Sequence, residues 1–204
     1  MAKVKICGIK SRDDIDIVNA LLPDYIGFVF CPTSKRYISL NEAKVLSSLL
    51  SSKIKKVGVF VNEKKETINK LKEECNLDVL QLHGDEKPQD CFYDGASVWK
   101  AIRIKDSIDL DKVKFYNVDR FLLDTFVLGS YGGSGKMFDL NLIRYLSKKD
   151  EIVLAGGLSP ENVKTIVKTV NPYAVDVSSG VETEGKKDYC LVKEFIDKVR
   201  NCHA

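Results

Sequence analysis

Four side chains able to move protons or hold ions stand where apolar runs end. Cys7 closes the run Val4–Cys7, His83 follows Val79–Leu82, Asp124 follows Phe121-Leu122-Leu123, and Asp176 interrupts Ala174–Val177. Such a set suits general acid–base chemistry. A carboxyl group in apolar surroundings is pushed toward its protonated form and can donate. A thiol becomes a useful base when neighbouring positive charge or a helix dipole favours the thiolate. Arg36, in the loop after Tyr25–Phe30, carries the planar fork that suits a carboxylate. Each also has a plainer reading: Cys7 as a small buried hydrophobe, His83 as a turn cap, Arg36 as a solvated charge. Cys31 closes a strand as well, so position alone does not separate the two thiols. Asp124 and Asp176 are harder to dismiss, because a buried carboxylate needs a partner or a task.

Two further stretches bear on anions. Ala174–Val177 breaks into Ser178-Ser179-Gly180, and Ile152–Ala155 runs into Gly156-Gly157 and a helix start with Pro160 just inside it. Small residues at such turns lead with unpaired backbone N–H groups, which bind anions. Gly156, Gly157, Ser179 and Gly180 are therefore candidate phosphate ligands. In (β/α)8 barrels a phosphate site commonly lies after strands 7 and 8, beside a short extra helix. Two ordinary strand-to-helix turns are the plainer alternative.

The elements that must position these residues alternate along the chain. Strands are expected at Val4–Cys7, Tyr25–Phe30, Val57–Val61, Val79–Leu82, Val98–Ile102, Phe121–Asp124, Ile152–Ala155 and Ala174–Val177. Helices are expected from Ser11, whose spacing to Asp14 resembles a capping box, and over Leu40–Leu50, with Asn41 as a possible cap. Others follow at Lys64–Cys75, Asn141–Leu146, Glu161–Thr169 and Tyr189–Val199, with only short turns at Pro88–Phe92 and Leu110–Phe115. A glycine-rich loop covers 129–136. Eight strand–helix units call for a parallel sheet covered by helices and close naturally into a single-domain (β/α)8 TIM barrel over residues 1–204, with helices 4 and 5 shortened. An open doubly wound sheet is the competing topology, but the turn Cys7-Gly8-Ile9-Lys10-Ser11 does not match its Gly-x-Gly-x-x-Gly signature.

Composition narrows the function classes. The chain has 204 residues, 44% hydrophobic and 30% charged, with a formal net charge of +3. Its charges are interleaved and form no basic arm, which argues against nucleic acid. No apolar run approaches the ~20 residues of a membrane span, and the start, Met-Ala-Lys-Val-Lys, lacks an apolar signal region and is expected to lead straight into a strand. A cytoplasmic location is expected. The six cysteines are widely spaced without Cys-x-x-Cys, and a chain this long builds a core without disulfides, so reduced thiols are expected. Nothing in the sequence sets the oligomeric state; a monomer is favoured.

The chain resembles the phosphoribosylanthranilate isomerases of tryptophan biosynthesis over nearly its whole length. The resemblance rests on KICGI at 5–9, GFVF at 27–30 with SKRYI at 34–38, VGVFVN at 57–62, QLHGDE at 81–86 and KAIRI at 100–104. It continues through LLDT at 122–125, GGSGKMFD at 132–139, LAGGLSPENV at 154–163, VDVSSGVE at 175–182 and GKKD at 185–188. Two departures are a Ser for the more usual Thr in Gly-Gly-Thr-Gly and a Leu for the frequent Trp in Phe-Asp-Trp. The resemblance implies an Amadori rearrangement of a phosphorylated aminoaldose with Asp124 as acid and Cys7 as base. It further implies Arg36 on the anthranilate carboxylate, Asp176 orienting substrate amine or hydroxyls, and the four small residues on the phosphate. His83 lies in a family motif and is grouped with the substrate-binding residues. No metal or other cofactor is implied. The related histidine-pathway isomerase places a carboxylate at the end of strand 1, where this chain has Cys7. Indole-glycerol-phosphate synthase uses lysine and glutamate at strand ends. A non-catalytic sugar-phosphate-binding barrel would have lost the acid–base pair.

Overall fold

Strand and helix alternate as the apolar periodicity requires, and in the computed structural model the strands close on themselves. The structure describes residues 1–104, 107–125 and 151–202. Eight parallel strands form a barrel in chain order: β1 Lys3–Cys7, β2 Tyr25–Val29, β3 Lys55–Phe60, β4 Val79–Leu82, β5 Ser97–Ile104, β6 Arg120–Thr125, β7 Ile152–Leu154 and β8 Ala174–Val177. The seam is β1 on β8, with Lys5 opposite Asp176. Helices α1 Arg12–Leu21, α2 Leu40–Leu49, α3 Lys65–Glu74, α4 Ser107–Asp111, α5 Pro160–Val170 and α6 Tyr189–Arg200 accompany the strands. After β4 the expected short helix is a single 3₁₀ turn, Pro88–Asp90, and after β5 a five-residue α4 runs into a 3₁₀ turn at Lys112–Phe115. The glycine-rich loop at 129–136 and the helix expected at 141–146 lie outside the described residues. Among the described residues, no helix is long and apolar enough to cross a membrane.

Helix starts follow local chemistry. Ser11 and Asp14 form the expected capping box at α1. The cap of α2 is Ser39, not Asn41: Ser39 is extended, its side chain accepts from the Glu42 N–H, and Glu42 returns the bond to the Ser39 backbone. Asn41 sits two residues past the cap, already inside the first turn. The sequence reading also did not anticipate a hairpin, β9 Glu182–Thr183 with β10 Lys186–Lys187, antiparallel across a two-residue turn with positive φ at Glu184 and Gly185.

Period-2 alternation splits each strand between two environments. Val4 and Ile6 of β1, Leu80 and Leu82 of β4, and Phe121 and Leu123 of β6 face outward into the core shared with the helices. Their alternates face the barrel axis. Low in the barrel these are apolar: Tyr25, Val57, Val79, Trp99, Leu122 and Val153 pack together. Tyr25 and Trp99 meet edge to face at 5.0 Å, Tyr25 and Tyr173 share a hydroxyl contact of 2.7 Å, and Arg120 lies 4.2 Å over the Tyr173 ring. Three aspartates standing just before even strands cap the odd ones: Asp24 accepts from Val4 N–H, Asp78 from Lys56 and Asp119 from Val98. They satisfy strand-start donors at the floor.

The floor predicts a stability difference. Trp99 is 1% exposed, and Trp99→Ala should cost about 3–5 kcal/mol. Phe115, 71% exposed, should change stability by less than about 0.5 kcal/mol as Ala. Urea unfolding followed by far-ultraviolet circular dichroism measures both.

Candidate active site

Higher in the barrel the inward positions turn polar. On β1 the alternates are Lys5 and Cys7, on β4 Gln81 followed by His83, on β6 Asp124 and on β8 Asp176; all six are buried. Five of the six, Lys5 excepted, line a cavity of about 570 Å³ at the carboxyl ends of the strands. That volume is in the range of small-molecule sites. Arg36, Gly156, Gly157 and Ser179 line it too, as does Cys31.

Lys5 was not singled out in the sequence, although it lies two residues before Cys7 and so shares its face. Its ammonium is fully buried, 2.8 Å from Asp176 Oδ2. Burial alone would lower the Lys5 pKa, but the attraction of Asp176, helped by Cys7, more than offsets it and the pKa is raised. Lys5 is therefore a cation. The positive charge expected beside Cys7 is present, from Lys5 and Lys187. Burial nevertheless outweighs it, Asp176 adds to burial, and the Cys7 pKa is raised. The thiol is thus the resting form, contrary to the expectation that neighbouring charge would favour thiolate. Asp176 is also shifted upward, by burial first and against the pull of Lys5. Its Oδ1 has no hydrogen-bond partner among the described residues.

Asp124 lies beside His83, with Nε2 3.3 Å from Oδ2. The other ring nitrogen, Nδ1, is 2.8 Å from the Gln81 amide nitrogen. An amide nitrogen only donates, so Nδ1 accepts and a neutral ring carries its hydrogen on Nε2, toward Asp124. Period 2 along Gln81-Leu82-His83 was the available signal for this pairing.

Arg36 is held on one side. Its Nε and Nη2 donate to Glu182 at 2.8 and 2.7 Å, and Lys187 Nζ reaches the same carboxylate at 2.7 Å and the Ser178 carbonyl at 3.1 Å. Ser178 in turn donates its hydroxyl to the Cys7 carbonyl. Glu182 and Lys187 sit at the two ends of the unanticipated hairpin, which is why sequence reading passed over them. Gly156 and Gly157 both have positive φ, 85° and 65°, a conformation that favours glycine. Ser179 opens a 3₁₀ turn, Ser179–Val181, the short extra helix. Gly180 lies against the other loop rather than along the cavity wall: a Cβ there would overlap the Leu158 carbonyl oxygen.

The Glu182 arrangement predicts an acid-sensitive latch. Burial acts to raise its pKa, but the bonds from Arg36 and Lys187 hold it down to about 2. An unfolded glutamate titrates near about 4.3. The depressed folded value means stability present above that pH and lost as pH falls toward about 2. Glu182→Gln should flatten the decline of the urea midpoint within this window, and an unchanged decline would exclude the latch.

A family model described as N-(5'phosphoribosyl)anthranilate isomerase matches residues 4–198. The N-(5'-phosphoribosyl)anthranilate isomerase of Thermoanaerobacter pseudethanolicus is 52% identical, covering 98% of each chain. That of Clostridium acetobutylicum is 44% identical with the same coverage. The crystal structure of phosphoribosyl anthranilate isomerase from Thermotoga maritima superposes with a TM-score of 0.87 at 40% identity, covering 98% of this chain and 99% of the other. A further structure of this isomerase, in complex with reduced 1-(o-carboxyphenylamino)-1-deoxyribulose 5-phosphate, gives 0.84 at 38% identity over the same shares. Sequence and barrel agree, and the chain belongs to the N-(5'-phosphoribosyl)anthranilate isomerase family.

Proposed function

We propose that this isomerase of tryptophan biosynthesis converts N-(5-phosphoribosyl)anthranilate to 1-(2-carboxyphenylamino)-1-deoxyribulose 5-phosphate, with Asp124 as general acid and Cys7 as general base. The observation that carries the reading is their meeting in one cavity with Arg36 and the Gly156-Gly157 and Ser179 loops. Asp124 gives its proton to the furanose ring oxygen as the C1–O bond breaks and the nitrogen lone pair forms the Schiff base. His83 Nε2, 3.3 Å away, then lies beside the carboxylate formed. Cys7, as thiolate, removes the C2 proton, and that electron pair forms the enolamine, which tautomerises to the ketone.

The remaining groups bind. With Nε and Nη2 fixed by Glu182, Arg36 offers its remaining N–H groups to the anthranilate carboxylate. Asp176 Oδ1 accepts from the substrate amine or a hydroxyl. Gly156, Gly157 and Ser179 receive the phosphate through backbone N–H groups, and Gly180 contributes by letting the two loops approach.

Two measurements test this. Cys7→Ser and Asp124→Asn should each lower kcat by at least about 10²–10⁴-fold, and the double variant should be little worse than the poorer single one because the groups act as a unit. Cys31→Ser lines the same cavity and should keep its turnover; an inactive Cys31→Ser beside an active Cys7→Ser would reverse the assignment. Arg36→Met removes a charge-assisted contact of about 1.5–3 kcal/mol. It should weaken binding of a carboxylated product analogue by roughly ten- to a hundredfold and spare an analogue without the carboxylate. Equal losses would indicate a packing defect.

A further inference from the structure

The resting thiol poses a problem for a base: its own proton must leave before it can take one from C2. Release to solvent would place an additional negative charge in a closed polar layer, which burial opposes. The side chains around the sulfur offer an internal route. Lys5 Nζ and Cys7 Sγ occupy the same space beside β2, which Gly27 leaves open: a Cβ there would lie 2.7 Å from the sulfur and 3.2 Å from the nitrogen. On its other side Lys5 is 2.8 Å from Asp176 Oδ2. Lys5 and Asp176 are paired in register across the β1–β8 seam, so the barrel backbone itself sets this geometry. Among the described residues, the other charges around the thiol are Lys187 from the hairpin and Arg36 from the loop after β2. Asp124 and His83 face Asp176 from β6 and the end of β4.

We infer that Lys5 relays the Cys7 thiol proton to Asp176, and so makes the base inside the site. The inference rests on the reading of Cys7 as base. Lys5 gives one N–H proton to the Asp176 carboxylate and its nitrogen lone pair takes the proton from sulfur. Thiol, ammonium and carboxylate become thiolate, ammonium and carboxylic acid. The three groups sum to zero charge before and after, so no net charge is created in the buried layer. Cys7 is then re-protonated by the C2 proton. Asp176 returns its proton to C1 as the enolamine becomes the ketone, and the hydroxyl proton released in that step restores Asp124. Lys5 is a positioning residue in this scheme: it acts on substrate only through its two neighbours.

The experiment is the pH dependence of kcat with phosphoribosylanthranilate for the parent, Lys5→Met and Cys7→Ser. Lys5→Arg is included because Met alone leaves a buried carboxylate without its cation, whereas a guanidinium keeps the charge and gives up its proton far less readily; circular dichroism confirms each fold. With no relay, thiolate must form by loss of a proton to bulk base. Lys5→Met and Lys5→Arg should fall by about a hundredfold at pH 7 and recover about tenfold per pH unit on the alkaline side, where the parent is flat. A folded Lys5 variant with parental turnover, or one slowed equally at every pH, overturns the relay while an inactive Cys7→Ser leaves the base assignment standing. A Cys7→Ser enzyme that turns over normally overturns both.

Discussion

One buried ion pair joins the fold to the chemistry. Lys5 and Asp176 face each other across the strands that close the barrel. Removing either partner from such a pair costs about 3–5 kcal/mol, because an uncompensated charge remains. The pair is weak as a source of net stability, since two charges had to be taken out of water to form it. What it supplies is position. A register slip of one residue would turn Lys5 and Cys7 outward into the helix-facing core and bring Val4 and Ile6 to the axis. The side-chain arrangement beneath the cavity and the backbone register at the seam are therefore one constraint.

Other polar groups at the top of the barrel repeat that logic. Gln81 sets the histidine tautomer, and the ring then faces Asp124. Glu182 is gripped by Arg36 and Lys187, which gives the guanidinium one orientation before substrate arrives. Lys100 Nζ, also buried, meets the Leu82 and Gly84 carbonyls and Glu86, whose other oxygen receives the Asn62 N–H. That clamp ties β3, β4 and β5 together beside His83. Preorganised dipoles of this kind need no rearrangement during a reaction, which is where such sites gain their effect. Below them the apolar floor fills the axis, and the cavity lies at the strand ends.

Much of this was legible in the residue order. Apolar runs broken by Pro, Gly and capping residues located eight strands within a residue or two, because burial on both faces demands continuous apolar sequence. Cys7, Asp124 and Asp176 stood out because ionisable groups at the ends of such runs are expensive, and motif order pointed to the family. Local competition hid Ser39 behind Asn41: both residue types cap helices, and only the backbone angles decide between them. The caps at Asp24, Asp78 and Asp119 were passed over because their partners lie on the preceding strand.

Tertiary structure alone decided which of these groups act on one another. Sequence determined that a thiol, carboxylates, a guanidinium and two glycine-bearing loops lie at strand ends. It did not determine that Lys5 is buried, that His83 meets Asp124, or that Glu182 holds Arg36, since these partners are 41 to 171 residues apart. Nor did it determine the state of the thiol. Cys7 is flanked by cations, which alone favour thiolate, yet the cost of burial is set by how completely the closed barrel excludes water, and that closure is a property of all eight strands together.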